Sequence, residues 1–297
     1  MENTRCAICN SNDYKIILTS RDQRSDLKDK EFSLVRCKKC QLVYINPRPT
    51  KNEINKFYPE NYYNTRFNFL EKIIDYLIVK IAAHNFKNFN KKGRLLDLGC
   101  GAGNFLLEMK KMGFKTTGVD ISKNAREIAS GKGLIILQGE LKDQKFPNNY
   151  FDIITLWHVF EHLLDPSSII QEIYRIMKKD GILLIETPNI DRLSLLLFKK
   201  HCFHLDLPRH LYHWSLDTLT KILEKNGFKV FRSDFFSLAF PLTLFHSFRN
   251  LLREKNIKQP IASLMLLISS PVLIVLTFLS RIIPSKSEII RIYARKI

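Results

Sequence analysis

The stretch "RLLDLGCGAGNFLLEMKKMGFKTTGVDIS", which begins at Arg94, constrains this chain more than any other. Leu95, Leu96 and Leu98 read as a short buried strand, and Gly99, Gly101 and Gly103 as a loop. Residues 104–112 carry a helical pattern that stops at Gly113, and a second strand ends at Asp120. Strand, glycine turn, helix and strand in that order form a βαβ unit, so the chain must build a parallel sheet covered by helices. Glycines suit such a loop because its backbone approaches a ligand closely and takes positive φ. An acidic residue some twenty positions further on can grip both hydroxyls of a ribose, and Asp120 stands there.

The spacing of the loop narrows the ligand. A dinucleotide fold spaces its glycines as GxGxxG and sets a pyrophosphate on the following helix, whereas this loop is GxGxG with Asp97 ahead of it, in "LDLGCGAG". The pattern resembles the first motif of the class I S-adenosylmethionine-dependent methyltransferases, whose cofactor has no phosphate. "GVDIS" is similar to their second motif. "KFPNNYFDIITLWHVFEHLLDP" is similar to the acidic-loop and fourth-strand block, and "IMKKDGILLIETPN" to the fifth strand with the helix before it. Together these cover residues 93–189 in the family's order. The resemblance implies an α/β fold, a Rossmann-like seven-stranded sheet, with S-adenosyl-L-methionine as cofactor. It implies that Asp97 and the Gly99, Gly101 and Gly103 backbone hold the methionine end, with Asp120 on the ribose and Ile121 on the adenine. Glu140 and Leu141, after the third strand, match the place where the family contacts the adenine edge. Cys100 is expected to pack, since nothing near it in sequence supplies a base.

"HVFEH" fits the HxxEH signature of inverted zinc peptidases through His158, Glu161 and His162. A peptidase needs both histidines on one helical face, yet His158 follows directly on the apolar strand "FDIITLW", at the sheet edge where α/β ligands bind. The segment instead resembles the loop after the fourth strand in quinone-type and small-RNA-type methyltransferases, some of which bind a divalent metal through ExxEH. His158 stands here in place of the first Glu, which removes one carboxylate from such a Mg²⁺ site. A second cluster, "HCFHLDLPRHLYHWS", carries His201, His204, His210 and His213. Both loops open onto one edge of a doubly wound sheet, so His158, His162 and His210 are expected to converge at the methyl acceptor. A neutral imidazole there serves as a base, or His162 and His210 only fix loops by hydrogen bonding, or the histidines form a metal cluster; the sequence leaves these roles open.

The first fifty residues form a unit of their own. "CAIC" at Cys6 and Cys9 and "CKKC" at Cys37 and Cys40 are two CxxC turns, the pattern of a tetrahedral zinc site. Four thiolates leave no open position for substrate, so such a zinc ion is structural, in a zinc-ribbon-like module over residues 1–50. Two unrelated pairs of buried or redox cysteines are the other reading. A connector with an amphipathic helix from about Phe69 to Phe89 occupies 51–92, and the methyltransferase domain 93–236. The strand-like "FKVFRSDFF" and "EIIRIYARKI" are expected to pair at one sheet edge, with 288–297 as the last strand.

Between them, 237–287 form an apolar helical insert with two arms, "SLAFPLTLFHSFRNLL" and the uncharged "IASLMLLISSPVLIVLTFLS", around the basic turn "REKNIKQ". Arg249, Arg253, Lys255 and Lys258 are poor candidates to cross a bilayer, and Pro241 and Pro271 kink the arms. The insert is therefore expected to lie as a shallow hairpin in an anionic cytoplasmic leaflet, making the protein peripheral or monotopic. Packing of the arms on the domain, or a dimer interface, is the alternative. The N-terminal "MENTRCAICNSNDYK" has no apolar core of a secretory signal, which predicts a cytoplasmic chain with reduced thiols.

With 47 Lys and Arg against 29 Asp and Glu, the chain carries a formal charge of +18 and favours anionic partners. The cysteine segment "VRCKKCQLVYINPRPT" and "PRHLYHWS" most resemble bacterial methyltransferases of surface-polysaccharide and related small-molecule pathways. That implies transfer to an O or C atom of a saccharide, a lipid-linked glycan or a quinone-like molecule. The alternative is an rRNA or tRNA methyltransferase that binds RNA through the zinc ribbon and the basic surface, though "LWHVFEH" replaces the [DN]PP[YF] turn used to methylate nucleobase amines.

Overall fold

A computed structural model describes the chain except residues 23–29, 59–68, 87–91, 237–239, 256, 258–270, 273–274 and 276–283. Its strands are β1 (Tyr14–Arg21), β2 (Glu31–Cys37), β3 (Val43–Ile45), β4 (Arg94–Leu98), β5 (Lys115–Asp120), β6 (Ile136–Gln138), β7 (Phe151–Trp157), β8 (Met177–Pro188), β9 (Tyr212–His213), β10 (Phe228–Phe236) and β11 (Ile289–Lys296). Its α-helices are α1 (Lys51–Ile54), α2 (Phe69–His84), α3 (Asn104–Lys111), α4 (Lys123–Ser130), α5 (Pro166–Ile176), α6 (Leu193–Phe198), α7 (Leu216–Lys225) and α8 (Phe240–Glu254).

Seven strands make one sheet in the order β10-β11-β8-β7-β4-β5-β6. The pairs from β8 to β6 are parallel, and β11 is antiparallel to both β8 and β10. From β4 the chain winds outward to β5 and β6, then returns to place β7 on the other side of β4, so the winding reverses between β4 and β7. Ligands of open α/β sheets bind beyond the carboxyl ends of the strands at such a point. Leu98 pairs with Leu156 there, which sets the glycine loop beside the chain leaving β7. The pairing of the last two strands is as expected.

Helix starts follow local chemistry. Asp165 caps α5 by accepting from the Ser168 amide at 3.0 Å, with Pro166 at the first helical position, and Ser215 caps α7 through the Thr218 amide. The connector helix ends at His84, short of the expected Phe89, and 87–91 lie outside the described residues.

A second, four-stranded sheet has the order β1-β2-β3-β9, all antiparallel. Three of its strands come from the N-terminal segment and the fourth from the loop that carries His210, so the N-terminal module is completed by a strand of the downstream chain. One core joins the two parts: Cys6, Ile8, Val35 and Leu42 share it with Leu98, Leu156, Leu211 and Trp214. Of the apolar insert, the first arm is α8, which packs on the domain. Leu244 and Leu252 are buried, the Ser247 hydroxyl accepts from the Phe203 amide at 2.9 Å, and His204 meets Thr243 at 3.1 Å. This part of the expected membrane hairpin is therefore docked on protein. The second arm, 261–280, lies almost wholly outside the described residues, among which no helix is long and apolar enough to cross a membrane.

Candidate active site and cysteine centre

The glycine loop needs its glycines. Gly99, Gly101 and Gly103 have φ of +69°, +49° and +73°. A Cβ on Gly99 would lie 2.3 Å from Val159 Cγ2, so the two loops touch at the switch point. Among the described residues a Cβ on Gly101 would meet nothing within 4 Å, which leaves open space over the loop where a ligand can lie against bare backbone.

Two carboxylates flank that space. Asp97 is buried at the end of β4 and accepts the Thr155 hydroxyl at 2.7 Å; burial pushes its pKa up to about 7. Among the described residues no cationic side chain pairs with it, so an arriving positive charge would be stabilised there. Asp120 ends β5 and accepts from the amides of Gly101 and Ser122, each at 2.8 Å, which ties the glycine loop to the next turn. Its two oxygens keep further lone pairs for a ribose. Beside it Ile121 is 63% exposed, an apolar surface with no protein covering it. Glu140 pairs with Lys51 at 2.5 Å, whereas the Leu141 side chain is buried in the core. Contact at Leu141 is thereby left to its backbone. These groups fit S-adenosyl-L-methionine, with an open glycine backbone, a buried carboxylate for its cationic end, a ribose-ready carboxylate and an apolar shelf.

Beyond β7 the chain turns through His158, whose φ is +54°, into a short 3-10 turn at Phe160–His162. This is not the helix that a peptidase signature requires. His158 lies between two buried carboxylates, with Nδ1 3.5 Å from Glu161 and Nε2 3.3 Å from Glu186. Burial opposes its charge, but the two carboxylates outweigh burial and raise its pKa to about 10. The two carboxylates therefore favour the imidazolium form of His158 at neutral pH, where a neutral base was expected. Burial likewise pushes Glu161 and Glu186 toward the neutral acid, and contact with His158 holds both below the usual carboxylate value.

His162 and His210 do come together, edge to face with ring centres 4.6 Å apart. His162 Nδ1 lies 3.0 Å from the Arg209 carbonyl and 3.1 Å from the Tyr58 hydroxyl, and His210 Nδ1 lies 2.9 Å from the His204 carbonyl. A carbonyl only accepts, so each Nδ1 carries the proton and each Nε2 holds the lone pair in the neutral ring. Glu161 is 1% exposed and, apart from the ion pair with His158, neither of its carboxylate oxygens has a hydrogen-bond partner among the described residues. Ligand atoms of Glu161, His162 and His210 lie within 4.8 Å of one another. A ring nitrogen of each histidine and a carboxylate oxygen are thus close together, and His210 Nε2 also lies 3.9 Å from Asp206 Oδ2. His201 does not converge with them, since its Nδ1 lies 3.1 Å from Glu254 on α8.

Sequence reasoning missed four participants. Glu186 ends β8 and Arg291 lies on β11, which the chain reaches only after a long insert; Tyr58 and Arg209 act through contacts far apart in sequence. A charged residue inside the apolar run "GILLIETP" was the available signal for Glu186.

In the N-terminal module, Cys6 and Cys40 Sγ are 3.3 Å apart and Cys9 and Cys37 Sγ 3.5 Å apart. All four sulfurs lie within 4.8 Å of one another, and no cysteine forms a disulfide. A tetrahedral zinc ion with Zn–S near 2.3 Å holds its sulfurs about 3.8 Å apart, so the donor set and spacing fit. The mutual contact lowers the pKa of Cys40 and raises that of Cys6, so the pair favours one shared proton.

A family model described as a methyltransferase domain matches residues 66–233. Ubiquinone biosynthesis O-methyltransferase from Actinobacillus pleuropneumoniae serotype 7 is 37% identical over 112 residues, which cover 34% of this chain and 47% of that protein. The uncharacterized methyltransferase YcgJ of Bacillus subtilis is 30% identical over 146 residues, 45% of this chain and 56% of the other. The chain thus spans about half the length of the curated relatives it matches. The crystal structure of a SAM-dependent methyltransferase from Archaeoglobus fulgidus shares the fold, with a TM-score of 0.50, 23% identity, and coverage of 77% of this chain and all of that one.

Proposed function

The chain belongs to the methyltransferase-domain family and is a class I S-adenosylmethionine-dependent enzyme, and from that premise we propose that it methylates an O or C atom of a saccharide, a lipid-linked glycan or a quinone-like molecule. The observation that carries this reading is the common mouth of the two loops. The open face over Gly101 and the His162–His210 pair both lie beyond the carboxyl ends of adjacent strands, β4 and β7, with Gly99 against Val159. The relatives named ubiquinone biosynthesis O-methyltransferase support an oxygen acceptor.

Bound S-adenosyl-L-methionine supplies a methyl group already activated on a sulfonium. The chain's own task is to hold donor and acceptor in line and to manage one proton. Asp97 offers buried negative charge to the cationic end, Asp120 orients the ribose, and Ile121 covers the adenine. A neutral imidazole, His162 or His210, accepts an acceptor hydroxyl's proton at Nε2, because its Nδ1 is committed to a backbone carbonyl. His158, already protonated, supplies positive charge instead.

The proposal includes one structural zinc ion on Cys6, Cys9, Cys37 and Cys40. It also includes an anionic membrane surface as partner of the second apolar arm, supported by the uncharged run and the flanking Lys255 and Lys258. Burial of the cysteine module against the sheet favours a structural duty over RNA binding. Incubation with methyl-labelled cofactor and fractionated cell extract tests the acceptor. Label in glycan, lipid or quinone fractions is expected, and label confined to RNA would overturn the reading.

A further inference from the structure

We infer that the N-terminal module and the start of the connector form a wall of the acceptor site, with Asp22 and strand β3 of the module and Tyr58 of the connector as positioning elements that set the His162–His210 pair. The inference rests on the reading of that pair as the acceptor side of the site. Three independent contacts lead from this wall to the two rings.

The first is backbone pairing. Strand β3 pairs with β9, Val43 opposite His213 and Tyr44 opposite Tyr212, and the Ile45 amide donates to the Leu211 carbonyl at 3.0 Å. The Leu211 amide in turn donates to the Glu161 carbonyl at 2.8 Å, so β3, the His210 loop and the Glu161 turn are stitched together in series. A second contact is a buried ion pair. Asp22, which follows β1, accepts from both terminal nitrogens of Arg209, at 2.9 and 2.8 Å, and the Phe57 carbonyl accepts from the same guanidinium at 2.5 Å. Arg209 is fully buried, and its own carbonyl is the group that meets His162 Nδ1. Holding the Arg209 side chain therefore holds the acceptor that fixes the tautomer of His162. The third contact is direct, from the Tyr58 hydroxyl to His162 Nδ1 at 3.1 Å.

Among the described residues no hydrogen bond joins residues 1–50 to the glycine loop. Gly99 and Gly103 are held by Val119 and Cys100, and Gly101 by Asp120, all within the domain. The module's hydrogen bonds therefore reach the acceptor half of the site, while toward the cofactor half it shares the apolar core with Leu98 and Leu141, and Lys51 of the connector pairs with Glu140. A two-ring arrangement needs this help, because His210 sits between the 3-10 turn Phe203–Leu205 and the two-residue strand β9, and without a partner its ring orientation would not be unique.

The test uses full-length protein, S-adenosylmethionine as the only ligand, and the variants Asp22→Asn and Tyr58→Phe. Nitrogen-15 histidine spectra at pH 8.5 report the tautomer, amide exchange reports the backbone, and calorimetry reports cofactor affinity. In wild type His162 and His210 are expected as single Nδ1–H tautomers. Asp22→Asn should give His162 a mixed tautomer and speed exchange at 209–213 about tenfold, whereas Tyr58→Phe, which leaves the Arg209 carbonyl in place, should shift the His162 Nδ1 resonance with the Nδ1–H tautomer kept. Exchange at 95–103 and cofactor affinity should stay within about twofold of wild type. Tyr58→Phe removes one oxygen and keeps the ring, so it decides the matter if Asp22→Asn fails to fold. Unchanged His162 spectra in the folded variants overturn the inference. So does exchange that rises equally over 95–103 and 209–213, which would make the module a general stabiliser. Absence of cofactor binding in wild type would instead defeat the methyltransferase reading itself.

Discussion

His158 and Glu186 face each other across the mouth of the sheet with Nε2 and Oε1 3.3 Å apart, and Arg291 holds the other carboxylate oxygen at 2.6 Å from below. Glu161 lies on the far side of the same imidazole, so an alternating row of charges, Arg291, Glu186, His158 and Glu161, runs from the last strand to the site. Removing either cation leaves a buried carboxylate exposed to uncompensated repulsion or desolvation.

This row gives a pH dependence with a definite sign. The folded-state pKa of His158 is raised to about 10 from an ordinary 6.5. Its contribution to stability is therefore complete below about pH 6.5 and disappears as pH rises through about 10. Thermal unfolding of wild type and His158→Gln from pH 6 to 10.5 should show a gap in Tm that is widest at the acid end and closes on the alkaline side. A gap that does not vary with pH would contradict the assignment.

Gly101→Ala separates fold from ligand. A methyl group there meets no protein atom within 4 Å, and the positive φ costs about 1–2 kcal/mol for an alanine. The variant should fold with a slightly lowered Tm and bind S-adenosylmethionine about tenfold more weakly or worse, since the methyl group occupies the approach face. Wild-type affinity in a folded Gly101→Ala would place the ligand elsewhere.

For the cysteine centre the expectation is one zinc ion per chain in protein purified without chelator. Stripping the metal should lower Tm, because this small module shares its core with the sheet. Finding no zinc by metal analysis would leave the four sulfurs as ordinary thiols.

His162→Ala and His210→Ala bear on the proton. With the extract fraction that accepts label, at least one of them should lower turnover by about a hundredfold while calorimetric cofactor affinity is retained. Full turnover in both would return the rings to a loop-fixing role.

Much of the cofactor side was legible because it is local. Strand, glycine loop, helix and Asp120 fall within 27 consecutive residues, and βα chemistry alone places them at a strand end. The pairing of 228–236 with the last strand was legible too, from two β-rich runs around an apolar insert. The acceptor side was not. His158 as an imidazolium depends on Glu186 and Arg291, which come from two other strands, and no spacing along the chain signals that convergence. The tautomers of His162 and His210 depend on carbonyls in a loop, which side-chain pattern cannot report. The cysteine pairs announced the four-sulfur cluster, yet that β3 would pair with β9 inside the downstream domain has no sequence signature, since a two-residue strand carries no period.

The most direct measurement of the central claim is calorimetric titration with S-adenosylmethionine of wild type and Asp120→Ala. Asp120 ties Gly101 to Ser122 and is the proposed ribose ligand, and charged hydrogen bonds of this kind are worth about 1.5–3 kcal/mol. The account predicts one site per wild-type chain and an affinity about ten- to a hundredfold weaker in the variant. Equal affinity in the two proteins, or no binding to wild type, would contradict it.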